Sequence, residues 1–357
     1  MVDVPVTIDD RMHDWLAEAL GAHGTLAESQ VTVIGAGEGF VGQLGRVALG
    51  WQDAAPDAPA SVIVKLPTAD PGGRAVGQMM GMYERESRFY AELADSIGIQ
   101  VPRCYVNVAD PGSDTWALVL EDLAPLVAGD QVAGADIARA RIVVERLARL
   151  HARFYGGSEV HELTWIPSLE GPMTAAIVPM FEASWNAFVD HYGAAVPPRA
   201  LDWVERFAPD VPAFIERFVD KPMTICHGDF RLDNMMFGTD GSFALIDWQG
   251  AMRVPGSSDL VYFLVTNLSP EVRRANEWEL IDLYIDTLRA EGVGEELLPR
   301  QLVVDGYREG SLLYGVMFVS TMTMERSNAR GEAFFDALVG RTMAAIDDLE
   351  SGVALGL

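Results

Sequence analysis

The segment from Met223 to Gln249 constrains this chain more than any other. It runs Met223-Thr224-Ile225-Cys226, then His227-Gly228-Asp229-Phe230-Arg231-Leu232-Asp233-Asn234, and after a turn Phe243-Ala244-Leu245-Ile246-Asp247-Trp248-Gln249. An apolar approach delivers Asp229, an asparagine follows five residues later, and a second apolar run ends on Asp247. Short apolar runs bounded by turn formers read as strands, so two carboxylates and an amide are presented at strand ends. An Asp- and Asn-rich turn joining two strands is the plain alternative.

The rest of the chain changes class near residue 121. Residues 10–20 read as a short amphipathic helix. Residues 31–51 hold an apolar run, a glycine cluster and Leu44-Gly45-Arg46-Val47-Ala48-Leu49; turn formers follow, then Ser61-Val62-Ile63-Val64-Lys65-Leu66. This spacing predicts three strands joined by turns. Over 78–94 the period becomes helical, with Met79, Met82, Tyr83, Glu86, Phe89, Tyr90 and Leu93 on one side. Two more strands are expected over 101–108 and 116–120, and mostly helix beyond. The fold class is therefore α+β, β-rich first and helical second, with no internal repeat and no low-complexity tract.

Three features precede the Asp229 segment. Gly37, Gly39 and Gly42 fit G-x-G-x-x-G. A dinucleotide-binding unit would need a helix after them, but Gly45 and Gly50 sit in the apolar run that follows. A glycine-rich hairpin over phosphates needs strand, turn and strand instead, which suits this stretch. Lys65 lies inside an apolar strand in a chain with only two lysines, Lys65 and Lys221. A compact ammonium on a flexible stem reaches phosphates as a point charge; a strand-end lysine snorkelling to water is the alternative. Glu86 shares its helix face with Met82, Tyr83, Phe89 and Tyr90, whereas Glu84 points out. A carboxylate on an apolar face needs a cation, and Lys65 is the natural partner.

Taken in this order, the residues spell phosphoryl transfer. Asp229 is the acid that meets the attacking hydroxyl. Asn234 and Asp247 are hard oxygen ligands suited to Mg²⁺ held against nucleotide phosphates. His227 braces its loop, and His151 reads as a satisfied core histidine.

The chain resembles the aminoglycoside phosphotransferase-like small-molecule kinases, most closely their ecdysteroid-kinase-like (CHK kinase-like) branch. The resemblance spans nearly the whole chain and rests on Glu86-Ser87-Arg88-Phe89-Tyr90, Leu120-Glu121-Asp122-Leu123, Leu147-Ala148-Arg149-Leu150-His151, His227-Gly228-Asp229 with Asn234, Ile246-Asp247-Trp248-Gln249 and Asp259-Leu260. It implies a bilobal protein-kinase-like fold with ATP in the cleft: an N-terminal lobe over 1–120, a hinge at 121–124 whose Glu121 and Leu123 touch adenine through backbone groups, and a helical lobe over 125–357. It further implies that Asp259 braces the catalytic loop. Phe230-Arg231 departs from many relatives, which frequently carry an aromatic at the second position. Only 12 positions separate Asp247 from Asp259 and Ala-Pro-Glu is absent, so a polypeptide substrate lacks its docking platform. The expected enzyme moves the γ-phosphoryl group of ATP, with Mg²⁺, to a hydroxyl of a small molecule. A kinase-fold nucleotide-binding module without turnover is the second reading, and a dinucleotide-dependent oxidoreductase the third.

Composition excludes other classes. Acids number 52 and bases 26, a formal net charge of −26, which leaves no broad basic face for nucleic acid or anionic membrane. Cys104 and Cys226 match no zinc spacing and suit a reducing compartment. No signal peptide or membrane span is expected, so the reading is cytoplasmic. Trp165, Phe181, Trp185, Phe188, Tyr192, Trp203, Tyr307, Tyr314 and Phe318 are either an acceptor pocket or the core of the helical part. Glu182, Asp190 and Glu325 are either amine contacts or solvated acids.

Overall fold

The computed structural model describes residues 3–35, 41–322 and 328–357; Gly37, Gly39 and Glu325 lie outside the described residues. The chain divides into two units, Met1–Val127 with Met236–Gly250, and Ala128–Met235 with Ala251–Leu357. Residues 236–250, which the lobe bounds expected from sequence assign to the helical part, group with the first unit, where the Leu245 N–H donates to the Gln100 carbonyl at 3.0 Å and Trp248 stacks on Phe89 with centroids 4.0 Å apart.

In the first unit, β1 (Gly24–Ile34), β2 (Gly42–Ala54), β3 (Ser61–Pro67), β4 (Cys104–Asp110) and β5 (Thr115–Glu121) form an antiparallel sheet in the order β1-β2-β3-β5-β4. Alternation along β3 sorts its side chains. Val62, Val64 and Leu66 are buried in a cluster with Met12 and with Trp15 and Leu16 of α1 (His13–Ala19), so Ile63 and Lys65 project to the opposite face. On the buried face, Gly45, opposite Val64, permits close packing: a Cβ would stand 2.4 Å from Ile8 Cγ2. The helical period expected over 78–94 is split into α2 (Pro71–Met79) and α3 (Met82–Glu92). Gly81, at φ +63°, breaks it, in a conformation that glycine adopts without steric cost.

The second unit is built mainly of helices around Ser257–Asn267, whose residues are buried all round except Ser258. A helix apolar on every side belongs in an interior, and Arg300–Ser320 and Ala329–Asp348 pack against it. A two-stranded ribbon, Met223–Cys226 with Met252–Pro255, leads into the Asp229 segment. Phe181, Phe188, Tyr192, Trp203 and Phe318 are buried in the core of this unit, and Tyr307 is buried with its hydroxyl on Glu277 at 2.8 Å. Packing has therefore claimed most aromatics considered as pocket lining; Trp165, Trp185 and Tyr314 remain half-buried.

Candidate active site

In the first unit, Lys65 projects from β3 towards α3, where Glu86 is buried and Glu84 exposed, the two sides expected from a 100° period. Lys65 Nζ stands 2.6 Å from Glu86 Oε2 and 2.7 Å from Asp247 Oδ1. Burial works against the ammonium, but the charges of Asp247 and Glu86 outweigh it and hold Lys65 above the ordinary lysine value. Burial also pushes the Glu86 carboxyl above the usual carboxylate range, with Lys65 opposing and the Asp247 charge reinforcing the rise. One ammonium thus serves two carboxylates. The remaining lysine, Lys221, is spent elsewhere, 2.5 Å from Glu309.

The turn carrying Asp247 is fastened to α3 at several points. Asp247 adopts φ +68°, a left-handed backbone that aspartate tolerates better than most residues. Its Oδ2 accepts from Gln249 Nε2 at 3.3 Å. Arg85 donates from Nη1 to the Gln249 carbonyl and from Nη2 to the Met80 carbonyl, each at 2.6 Å; burial lowers it to about 10. Phe89 and Trp248 stack with planes 8° apart. The sequence reading missed Arg85, since an arginine beside a glutamate on a helix looks like a solvated pair.

Glu121 closes β5 opposite Val62. Its N–H donates to the Arg103 carbonyl at 2.8 Å, and its carboxylate accepts the Arg103 N–H at 3.0 Å. Asp122 accepts from the Ser61 hydroxyl at 2.8 Å and from Arg46 Nη2 at 3.1 Å, which fixes the chain just before the buried Leu123. Gly42 opens β2 opposite Pro67; a Cβ there would meet Lys65 Cε at 3.6 Å, an ordinary contact. A strand, not a helix, follows the glycine cluster, which removes the structural basis of the dinucleotide reading.

In the second unit, Asp229 is held by its own loop. Asn234 Nδ2 donates to the Asp229 carbonyl at 2.9 Å and to its Oδ2 at 3.0 Å. This spends the amide hydrogens on Asp229 and leaves the amide oxygen as the donor atom suited to a hard cation. Tyr262 donates to Asp229 Oδ1 at 3.4 Å, and Arg231 Nε donates to Oδ2 at 3.1 Å. Gly228 takes φ +79°, a bend that lets the loop turn over Asp259. That carboxylate, in the first turn of Ser257–Asn267, accepts the His227 N–H at 2.6 Å and the Gly228 N–H at 3.0 Å. His227 is fully buried, and its Nδ1 accepts the Asp229 N–H at 3.3 Å.

Behind Asp259 stands His151, at the end of α4 (Ile137–Ala152). Its Nε2 faces Asp259 Oδ2 at 3.4 Å, and its Nδ1 the Tyr284 hydroxyl at 2.7 Å. The potential ligand atoms of His151, Cys226 and Asp259 lie within 4.8 Å of one another. Hydrogen bonds already occupy the carboxylate and both imidazole nitrogens, and burial drives the Cys226 thiol well above its ordinary value, so the cluster acts as a brace. Sequence reasoning missed Tyr262, although it follows Asp259 by three residues and so shares its helix face.

The sequence profile of the Ecdysteroid kinase-like family matches residues 36–292, and the chain belongs to that family. An uncharacterized kinase-like protein of Caenorhabditis elegans is 27% identical over 214 residues, covering 58% of this chain and 56% of that protein. The chain thus matches little more than half the length of that relative. Among solved structures, a putative aminoglycoside phosphotransferase of Ralstonia eutropha has a TM-score of 0.55 at 15% identity, covering 96% of this chain and 99% of that one. A spectinomycin phosphotransferase solved with ADP and spectinomycin gives 0.54 at 14% identity, with coverage of 95% and 98%. A Plasmodium vivax ethanolamine kinase gives 0.53 at 12% identity, with coverage of 91% and 83%. These likenesses show the fold: α+β, β-rich then helical, as the resemblance in sequence implied. Among the described residues no helix is long and apolar enough to cross a membrane.

Proposed function

We propose that this protein is a small-molecule kinase that transfers the γ-phosphoryl group of ATP to an alcohol with the help of Mg²⁺. The observation that carries the reading is the Lys65 ammonium held between Glu86 and Asp247 at 2.6 and 2.7 Å. A buried cation fixed by two carboxylates, on a strand that follows a glycine-rich stretch of sequence, is what polyphosphate binding asks of a protein. Lys65 reaches the phosphates and Glu86 sets its position; Gly37, Gly39 and Gly42 are the glycines assigned to the nucleotide by their G-x-G-x-x-G spacing. Glu121 and Leu123, within a hinge at 121–124, meet adenine through backbone groups.

The donors suit the metal. Asp247 offers a carboxylate and Asn234 an amide oxygen, hard ligands that favour Mg²⁺ over zinc. When bound, the ion neutralises charge on the phosphate oxygens. Asp229 accepts the proton of the acceptor hydroxyl as its oxygen bonds to the γ-phosphorus and the bond to the β-phosphate oxygen breaks, leaving ADP. Asn234 orients that carboxylate, while Asp259 and His227 keep the loop in shape. The short step from Asp247 to Asp259 favours a small-molecule acceptor over a protein, the acidic composition argues against nucleic acid and anionic membrane as partners, and the free Cys104 and Cys226 suit a reducing, cytoplasmic setting.

The test is ADP release with ATP and Mg²⁺ across alcohols, sterols, amino-sugars and macrolides. Asp229→Asn is expected to lower kcat by roughly 10²–10⁴ with little change in ATP affinity. ATP binding without acceptor-dependent ADP release would favour the silent module, and an Asp229→Asn variant with more than about half the wild-type turnover would remove its role as base.

A further inference from the structure

The guanidinium of Arg231 lies against Asp229, the carboxylate assigned above to the acceptor hydroxyl. Its Nε donates to Asp229 Oδ2 at 3.1 Å, its Nη1 lies 3.8 Å from Asp233 Oδ2, and its central carbon stands 5.2 Å from the Phe334 ring centroid. Asp233 is held from its other side by Arg330 Nη2 at 2.8 Å, and Arg330 also lies 3.5 Å from Asp130. Acid and base alternate from the Asp229 loop to the first turns of Ala329–Asp348, so Arg231 is clamped by two carboxylates and an aromatic face. It nevertheless keeps 24% of its side chain exposed, and Phe334 is half-buried.

Proteins recognise an ammonium with a carboxylate and an aromatic face. Asp229 and Phe334 are such a pair, but the chain has placed its own cation between them. We propose that Arg231 is a specificity-determining residue that excludes acceptors carrying an ammonium beside the reacting hydroxyl and admits neutral alcohols. The inference rests on the reading of Asp229 as the group that meets the acceptor. An incoming ammonium must either pull Arg231 from all three partners or lie beside a like charge in a partly desolvated setting, where repulsion is strong. A neutral hydroxyl faces neither obstacle: it approaches Asp229 Oδ1, beside the Tyr262 hydroxyl at 3.4 Å, while Arg231 stays on Oδ2. Lysine would retain the charge at this position, although not the planar fork.

The experiment uses choline and neohexyl alcohol, its neutral all-carbon isostere, as probes. Calorimetric binding of each in the presence of Mg²⁺ and ADP is compared for wild type, Arg231→Gln and Arg231→Lys, after thermal melting has established that each is folded. Wild type is expected to favour the neutral compound. Arg231→Gln should shift the affinity ratio towards choline by about tenfold or more, because the repulsion and the competing cation both disappear. Arg231→Lys should hold the wild-type ratio. A ratio for Arg231→Gln within about twofold of wild type, an equal shift in Arg231→Lys, or binding of neither probe to any of the three proteins would overturn the inference. Acceptor-dependent turnover by Asp229→Asn at the wild-type rate would instead remove the underlying assignment. An inactive Asp229→Asn with an unmoved ratio in Arg231→Gln removes this inference alone.

Discussion

Replacing Lys65 with methionine probes the arrangement most directly. The substitution keeps an unbranched four-atom stem and deletes an ammonium 2.6 Å from Glu86 and 2.7 Å from Asp247. Two carboxylates then face each other, one 4% and the other 25% exposed. Breaking a buried ion pair by removing one partner costs about 3–5 kcal/mol. Asp247 reaches solvent and Glu86 can take up a proton, so the lower end applies, about 3 kcal/mol in mildly alkaline solution. The effect depends on pH. Burial already raises the Glu86 carboxyl above its ordinary value of 4.5, and Lys65 is the charge that restrains the rise. Without Lys65 the folded state binds that proton more tightly than the unfolded chain does. Its contribution to stability is then complete below 4.5 and lost as pH climbs through the raised folded value. In the wild type, Lys65 is itself raised above 10.5, so its contribution changes only in strong alkali. Urea unfolding of both proteins at about pH 5 and about pH 8 should therefore show the larger deficit at the higher pH. A deficit below about 1 kcal/mol at the higher pH, the size of an exposed pair, or equal deficits at both, would refute the buried triad.

Three further outcomes follow from the same geometry. Asp259→Ala strands the His227 and Gly228 N–H groups and should destabilise by about 2–4 kcal/mol, with Asp259→Asn losing less; equal urea midpoints for the two variants would contradict the brace. Arg85→Met leaves the Gln249 and Met80 carbonyls without their donor and should cost about 1–3 kcal/mol in the same assay, whereas a change within about 0.5 kcal/mol would mark Arg85 as dispensable. Asp247→Ala should abolish turnover at matched folded fraction and Asn234→Ala should be milder, since an amide carries no full charge; a wild-type rate with the wild-type Mg²⁺ response in Asp247→Ala would contradict the metal role.

Much of the fold was legible because local chemistry repeats along the chain. The strands β3 and β5 announce themselves by apolar runs between turn formers, and Glu86 by its place among Met82, Tyr83, Phe89 and Tyr90. The break between α2 and α3 was not legible, since a single glycine at φ +63° overrides a hydrophobic period that continues through it. The aromatics of the second unit stay open between core and pocket in sequence for a related reason: a buried ring and a ring lining a pocket have the same sequence spacing, and only packing separates Phe188 or Trp203 from Trp185 and Tyr314.

The candidate site divides along the same physical line. Asp229 and Asn234 are five positions apart and hydrogen-bond to each other, so their spacing is itself the geometry, and Gly228 between His227 and Asp229 marks the bend they need. Lys65 and Asp247 lie 182 positions apart; no spacing rule reaches that far. What betrayed them was the mismatch of each with its own surroundings, a lone lysine in an apolar strand and an aspartate ending one. Arg85 carries no such mismatch, because an arginine beside glutamates on a helix is ordinary, and only the carbonyls of Gln249 and Met80 reveal why it is buried. A residue that violates its local environment can thus be found from sequence, whereas one that satisfies distant backbone groups while looking ordinary emerges only once the chain has folded.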